Sequence, residues 1–160
     1  MQVNKSIVLV GMMGSGKSTI GYLLSKKLTL TFIDIDQEIE KETNKKIVNI
    51  FKFQGEEYFR KIEEKITLKF LKSQNSVIAL GGGGFLNANI RKEALSKCIV
   101  FWLNWNNSTI LKRIIKSKKR PIAYNASNPE ITQMISDRSK IYSLSKFKIN
   151  CEKTTKNMIV

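Results

Sequence analysis

The sequence predicts a three-layer α/β fold, a parallel β-sheet with helices on both sides. Three observations carry this. Short apolar runs rich in β-branched residues alternate with segments of helical period along the 160 residues. One run, Cys98–Leu103, is almost wholly apolar, as a parallel strand covered on both faces should be. Seven of the nine glycines fall in two clusters, Gly11/Gly14/Gly16 and Gly81–Gly84, each directly after a strand-like run. Open α/β sheets bind ligands at that edge, so the two clusters mark where to look for function.

Taken in order, Ser6–Val10 reads as a strand ending at a glycine. Lys17–Leu28 has helical spacing, with Ile20, Leu23, Leu24 and Leu28 on one face. Thr31–Ile35 reads as the second strand, followed by helices near Gln37–Thr43 and Val48–Phe53. Glu56–Leu71 is the clearest helix, its buried stripe being Phe59, Ile62, Ile66 and Phe70. Val77–Leu80 is a strand stopped by four glycines, and Asn87–Ser96 is helical. After the strand at Cys98–Leu103 come helices at Ser108–Lys116 and Glu130–Ser145, a fifth strand at Phe147–Cys151 and a short final helix. Both prolines, Pro121 and Pro129, lie in the stretch between the last two long helices.

Composition narrows the chemistry. There is no histidine, which excludes Ser-His-Asp and Cys-His triads and histidine-ligated metals. Proton transfer then falls to Asp, Glu, Lys or Tyr. Two cysteines, Cys98 and Cys151, are too few for a disulfide framework, and Cys98 reads as a buried small apolar residue. No apolar run has the roughly 18 residues of a membrane span, and the apolar stretch Ile7–Val10 runs into a glycine loop rather than a signal-peptide cleavage site. The expectation is one cytoplasmic domain over residues 1–160, with no membrane partner and a monomer as the default state. The net charge of +15 raises the question of nucleic acid. Most lysines are scattered, however, and Phe59, Phe70, Phe101 and Trp102 sit at core positions rather than on a stacking surface. No nucleic-acid partner is expected. Lys116–Arg120 is the only dense basic cluster.

Gly11-Met12-Met13-Gly14-Ser15-Gly16-Lys17-Ser18 matches the phosphate-binding pattern G-x-x-x-x-G-K-[ST], between a strand and a helix. Its glycines let backbone N–H groups curl around an anion, and the helix N-terminus behind them favours negative charge. Lys17 is expected to reach the β- and γ-phosphates, and the Ser18 hydroxyl to ligate Mg²⁺. The loop from Gly11 to Thr19 therefore binds a nucleoside triphosphate, without fixing the reaction. No N-K-x-D or T-K-x-D segment is present, which argues against a GTPase.

Other residues suggest an acceptor. Asp34 and Asp36 are two apart at a strand end and should project to the same side. Capping of the next helix would account for Asp36 but not Asp34. Two carboxylates near a phosphate loop suit Mg²⁺ and a hydroxyl acceptor. Arg60 has Glu63 and Glu64 within helical reach, and a surface ion pair is as good a reading as a functional one. The Gly81–Gly84 run packs poorly, so its use would be close backbone approach to a ligand.

Taken together, these pieces resemble shikimate kinases. The phosphate loop is followed by Asp34-x-Asp36, Gly55-Glu56-Glu57-x-Phe59-Arg60-x-x-Glu63, the glycine run, Arg120-Pro121 and Arg138, in order from Val8 to about Ile149. The resemblance implies a P-loop kinase fold, its five parallel strands ordered 2-3-1-4-5, and transfer of the γ-phosphoryl of ATP to the 3-hydroxyl of shikimate. It implies catalytic roles for Lys17, Asp36 and Arg120. ATP would be held by Gly14, Ser15, Gly16, Lys17, Ser18 and Thr19, with Arg113 packed on adenine and Arg120 on the phosphates. Mg²⁺ would be held by Ser18 and, through water, by Asp34. Shikimate would be held by Asp36, Arg60, Glu63, Gly81, Gly82, Gly83 and Arg138. A mobile lid would span about residues 116–128. After Arg138 the family usually has a proline and then Leu-Tyr; here the run is Ser139-Lys140-Ile141-Tyr142, with the tyrosine kept. A basic residue that often touches adenine near the C-terminus is replaced by Thr154 or Thr155. The competing readings are another P-loop small-molecule kinase, such as a gluconate kinase, and a nucleic-acid-binding P-loop NTPase.

Overall fold

A computed structural model describes residues 5–117 and 126–160. Its centre is a five-stranded parallel sheet ordered β2-β3-β1-β4-β5. The strands are β1 (Ile7–Val10), β2 (Thr31–Asp34), β3 (Ser76–Ala79), β4 (Ile99–Asn104) and β5 (Phe147–Asn150). The long helices are α1 (Lys17–Leu28), α2 (Ile35–Thr43), α3 (Ile47–Phe70), α4 (Ala88–Lys97), α5 (Asn107–Ser117) and α6 (Asn128–Tyr142), followed by a single turn, α7 (Lys156–Ile159). Fold class and strand order agree with the expectation. Most of the expected lid, including Arg120 and Pro121, lies outside the described residues.

The alternation of side chains along β1 shows why the sheet is covered twice. Val8 and Val10 join one apolar cluster with Ile33, Ile78, Val100 and Trp102. Ile7 and Leu9 join another with Ile20, Val77 and Leu103. Period-2 geometry sends neighbours to opposite faces, and both faces here are apolar. Burying each of these side chains is worth about 1.5–3 kcal/mol, so the central strands are a firm base for the loops at their carboxyl ends. Phe59 and Trp102 are buried, while Phe70 and Phe101 pack partly buried against the clusters. Cys98 and Cys151 are free and buried. Among the described residues no helix is long and apolar enough to cross a membrane.

The two helices expected over residues 48–71 are both present and meet at a kink at Gly55, whose φ of 82° is not helical; α3 is the two together. Two local differences from the expected elements matter. On α1 the buried residues are Lys17, Ile20, Gly21 and Ser25, while Leu23 and Leu28 are exposed. A Cβ at Gly21 would lie 2.5 Å from the Phe32 ring, so the helix presses on β2 at its glycine and turns Leu23 and Leu28 outward. Helix α6 begins two residues early, where Ser127 and Glu130 form a capping box and Pro129 occupies the first turn.

Candidate active site

The phosphate loop joins β1 to α1. Gly14 and Gly16 have φ of 78° and 89°, a region that L side chains rarely adopt. At Gly11 a Cβ would meet the Leu103 carbonyl at 2.9 Å. Lys17 is buried, and its ammonium donates to the carbonyls of Gly11 (2.8 Å) and Met12 (2.9 Å). The loop therefore carries its positive charge on the inside. A cavity of about 180 Å³ is lined by Gly14, Gly16, Lys17, Ser18 and Thr19, with Asp34 and Asp36 opposite.

The helix cap falls to a different aspartate from the one the sequence offered. Asp34, not Asp36, caps helix α2. Its Oδ1 accepts from the amides of Asp36 (3.1 Å) and Gln37 (3.4 Å). Helix α2 starts at Ile35, so Asp36 already lies in its first turn and is not its cap. The second Asp34 oxygen accepts from the Ser18 hydroxyl at 2.5 Å. Asp34 is thus fixed at both oxygens and joins α1 to α2, while Ser18 keeps its oxygen lone pairs.

Next to the phosphate cavity lies a larger one of about 560 Å³. Ser18, Asp34, Asp36 and Gly82 line both. One wall is apolar, built from Ile47, Val48, Phe51 and Phe59. The lining also holds Arg60, Glu63, Arg138 and Gly81–Gly83. Nothing in local sequence marked Ile47, Val48 or Phe51; they enter because the bend at Gly55 folds the first half of α3 over the cavity.

Arg60 is placed by carboxylates one helical turn to either side. It donates to Glu63 at 2.6 Å and to Glu56 at 3.0 Å. Glu63 is only 2% exposed, so this is not a surface pair. Glu64, the other candidate partner, instead accepts from Asn87 and Asn89. Burial pushes the Glu63 carboxyl above its usual range, Arg60 pulls it back, and the Asp36 charge adds to the rise.

The glycine run explains how these groups come so close. A Cβ at Gly81 would lie 2.6 Å from Glu63 Oε1 and 2.8 Å from Asp36 Oδ1. At Gly83 it would lie 2.3 Å from Arg60 Nη1. The residues are glycines because charged side chains pack onto their Cα atoms, not because φ demands it: Gly83 has φ of −98°.

Arg138 and Tyr142, one turn apart on α6, converge on the Gly82 carbonyl. Arg138 Nη1 lies 3.5 Å away, and the Tyr142 hydroxyl donates a short hydrogen bond to the same oxygen. Both side chains are buried. Burial pushes the Tyr142 phenol up to about 12. The proline absent after Arg138 leaves α6 unbroken through this pair.

On the outer side of the phosphate loop, Arg113 donates to the Gly14 carbonyl at 3.0 Å, and its guanidinium stacks on Trp105 at 3.8 Å from the ring centre. The Trp105 indole donates to the Ser15 carbonyl at 2.9 Å. Sequence reading passed over Trp105. Its one signal was position, directly after β4 at the carboxyl edge of the sheet.

Comparison with known proteins gives the family. The family profile described as "Shikimate kinase" matches residues 13–160. A shikimate kinase from Persephonella marina is 41% identical over 157 residues, covering 98% of this chain and 94% of that protein. The structure of shikimate kinase from Acinetobacter baumannii in complex with shikimate superposes with a TM-score of 0.89 at 30% identity, covering 97% of this chain and 88% of the other. Shikimate kinase from Aquifex aeolicus superposes with a TM-score of 0.82 at 33% identity, over 96% and 90% of the two chains. This chain belongs to the shikimate kinase family.

Proposed function

We propose that the chain transfers the γ-phosphoryl group of ATP to the 3-hydroxyl of shikimate, giving shikimate 3-phosphate and ADP. The carrying observation is that Ser18, Asp34, Asp36 and Gly82 line both the phosphate cavity and a larger cavity that holds two arginines. Donor and acceptor can therefore meet at one line of residues. Arg60 and Arg138 suit a carboxylate, because guanidinium groups pair with it through directed, charge-assisted bonds. The apolar wall of Ile47, Val48, Phe51 and Phe59 suits one face of a carbocycle, which favours shikimate over an open-chain acid such as gluconate.

In this reading the loop amides and Lys17 hold the phosphates. Asp36 orients the acceptor hydroxyl and takes its proton as the new O–P bond forms. The bond between the β- and γ-phosphates breaks, and its electrons leave on ADP. Phosphoryl transfer asks mainly for positioning and charge stabilisation, so a well-placed carboxylate is sufficient. Arg60 and Arg138 bind the shikimate carboxylate, Glu63 steadies Arg60, and Gly81–Gly83 offer backbone groups to the ring hydroxyls. Arg120, by its match to the family, would stabilise negative charge on the transferring group. Arg113 would pack on adenine.

Ser18 and Asp34 fit Mg²⁺: both donors are oxygen, and they touch. Mg²⁺ commonly takes one or two protein oxygens and leaves the rest to phosphates and water. When bound, Mg²⁺ would neutralise phosphate charge. We read the enzyme as a cytoplasmic monomer, since ATP is available there and every group in this scheme comes from one chain.

Phosphorus NMR of the product tests the assignment. The reading expects one new monoester resonance coupled to the proton at C3. Phosphate on another hydroxyl, or inorganic phosphate alone, would contradict it.

A further inference from the structure

The contacts of Trp105 reach the phosphate loop by two routes. The first is direct. A trans peptide holds its C=O and N–H in opposite directions. Because the Ser15 carbonyl is bonded to the Trp105 indole at 2.9 Å, the Gly16 amide in the same peptide points the other way. Gly16 itself lines the phosphate cavity. The second route runs through Arg113. Its guanidinium carbon sits over the Trp105 ring, 3.8 Å from the ring centre, and from there the side chain donates to the Gly14 carbonyl. Trp105 packs against both apolar clusters, so the ring is anchored from each face of the sheet.

We propose that Trp105 is a positioning residue of the nucleotide site: it sets the orientation of the Ser15–Gly16 peptide and holds the Arg113 guanidinium over its ring, and so tunes affinity for the adenine nucleotide while leaving the acceptor side untouched. The proposal rests on the reading that the Gly11–Thr19 loop binds ATP. Loop carbonyls that are tied on the outside cannot rotate inward, where they would repel phosphate oxygens. A guanidinium held on one face by an indole keeps its other face ordered for a second flat ring, without further loss of side-chain freedom. The acceptor cavity has no contact with either Trp105 or Arg113 among its lining residues.

Two variants separate the routes. Trp105→Phe keeps a ring under Arg113 and removes the N–H donor. Trp105→Leu removes both. Calorimetric titration with ADP, together with KM for ATP and for shikimate, gives the readout. Loss of the one hydrogen bond should weaken ADP binding about fivefold in Trp105→Phe. Loss of the stack as well should weaken it about thirtyfold in Trp105→Leu. KM for ATP should rise in parallel, and KM for shikimate should stay within about twofold of wild type, less than one weak contact is worth. A purely structural residue would instead lower thermal stability and weaken both ligands together; that result, or unchanged ADP affinity in both variants, overturns the proposal. If Trp105→Leu fails to fold, Trp105→Phe alone decides. ADP titration needs no shikimate turnover, so an error in the acceptor assignment would show in the wild-type enzyme and not in this comparison.

Discussion

Glu63 accepts a 2.6 Å hydrogen bond from Arg60 while almost fully buried, at 2% exposure. A buried carboxylate bonded to a guanidinium acts as an anchor: remove it and, of the two carboxylates that hold Arg60, the exposed Glu56 remains. Glu63→Gln should therefore raise KM for shikimate about tenfold, the worth of one charge-assisted hydrogen bond, with KM for ATP nearly unchanged. Steady-state kinetics with each substrate varied in turn checks the split. An equal rise in both KM values would mean that Glu63 supports the fold and not the guanidinium.

Gly83→Ala makes a sharper test of the same relationship. The backbone there accepts any residue, but the new methyl would sit 2.3 Å from Arg60 Nη1. Arg60 is a flexible side chain and can move, so the fold should survive with a thermal midpoint within about 2 °C of wild type. The displaced guanidinium should cost about tenfold or more in KM for shikimate. A variant with normal KM would show that Arg60 does not need its present position.

Asp36 lies in the first turn of α2 and is not its cap, so it can be changed without losing the helix start. Asp36→Asn should lower kcat by about 10²–10⁴-fold, the usual contribution of a general base, with ADP affinity nearly intact. Asp34→Asn should behave differently. It disturbs both the cap and the contact with Ser18, so stability and nucleotide binding should fall together. If instead Asp36→Asn abolished ADP binding, the two aspartates would exchange roles.

Tyr142 ties a pH dependence to the Gly82 carbonyl. Its phenol is pushed from an ordinary value of 10.0 up to about 12 by burial. A pKa raised on folding gives stability that is complete below the unfolded value and is lost as pH rises toward the folded one. The advantage of wild type over Tyr142→Phe should therefore be constant below pH 10 and shrink by roughly 1.4 kcal/mol per pH unit between about 10 and 12. Urea unfolding midpoints across that range give the measurement. A difference that stays flat to pH 11.5 would mean that the phenol ionises as freely in the folded protein as in the unfolded chain.

How legible each feature was in the sequence follows from how local its cause is. The phosphate loop declares itself in eight consecutive residues because its glycines, lysine and serine each meet one need of a bound anion. The strand order and the three layers follow from alternating periodicity and from the family resemblance. Arg60 and Glu63 were visible as a helical pair, but whether the pair was buried depended on the glycine run some twenty residues away. Which aspartate caps α2 turned on where the helix begins: a start at Ile35 makes Asp34 the cap, and a strand extended through Ile35 had pointed to Asp36. Trp105 was missed because its partner carbonyl is 90 residues away in the chain. No pattern on the β4–α5 connection announces a contact with the phosphate loop.

The central claim is that Arg60, Arg138, Asp36 and the glycine run form a shikimate site beside an ATP site. Its most direct test is ADP release from Mg-ATP with shikimate, quinate and gluconate offered separately as acceptors. Turnover with shikimate should be at least about tenfold above the other two, a difference of one well-placed polar contact, and Arg138→Ala should lose that preference. Turnover with gluconate equal to or above that with shikimate, or no shikimate-dependent ADP release, would contradict it.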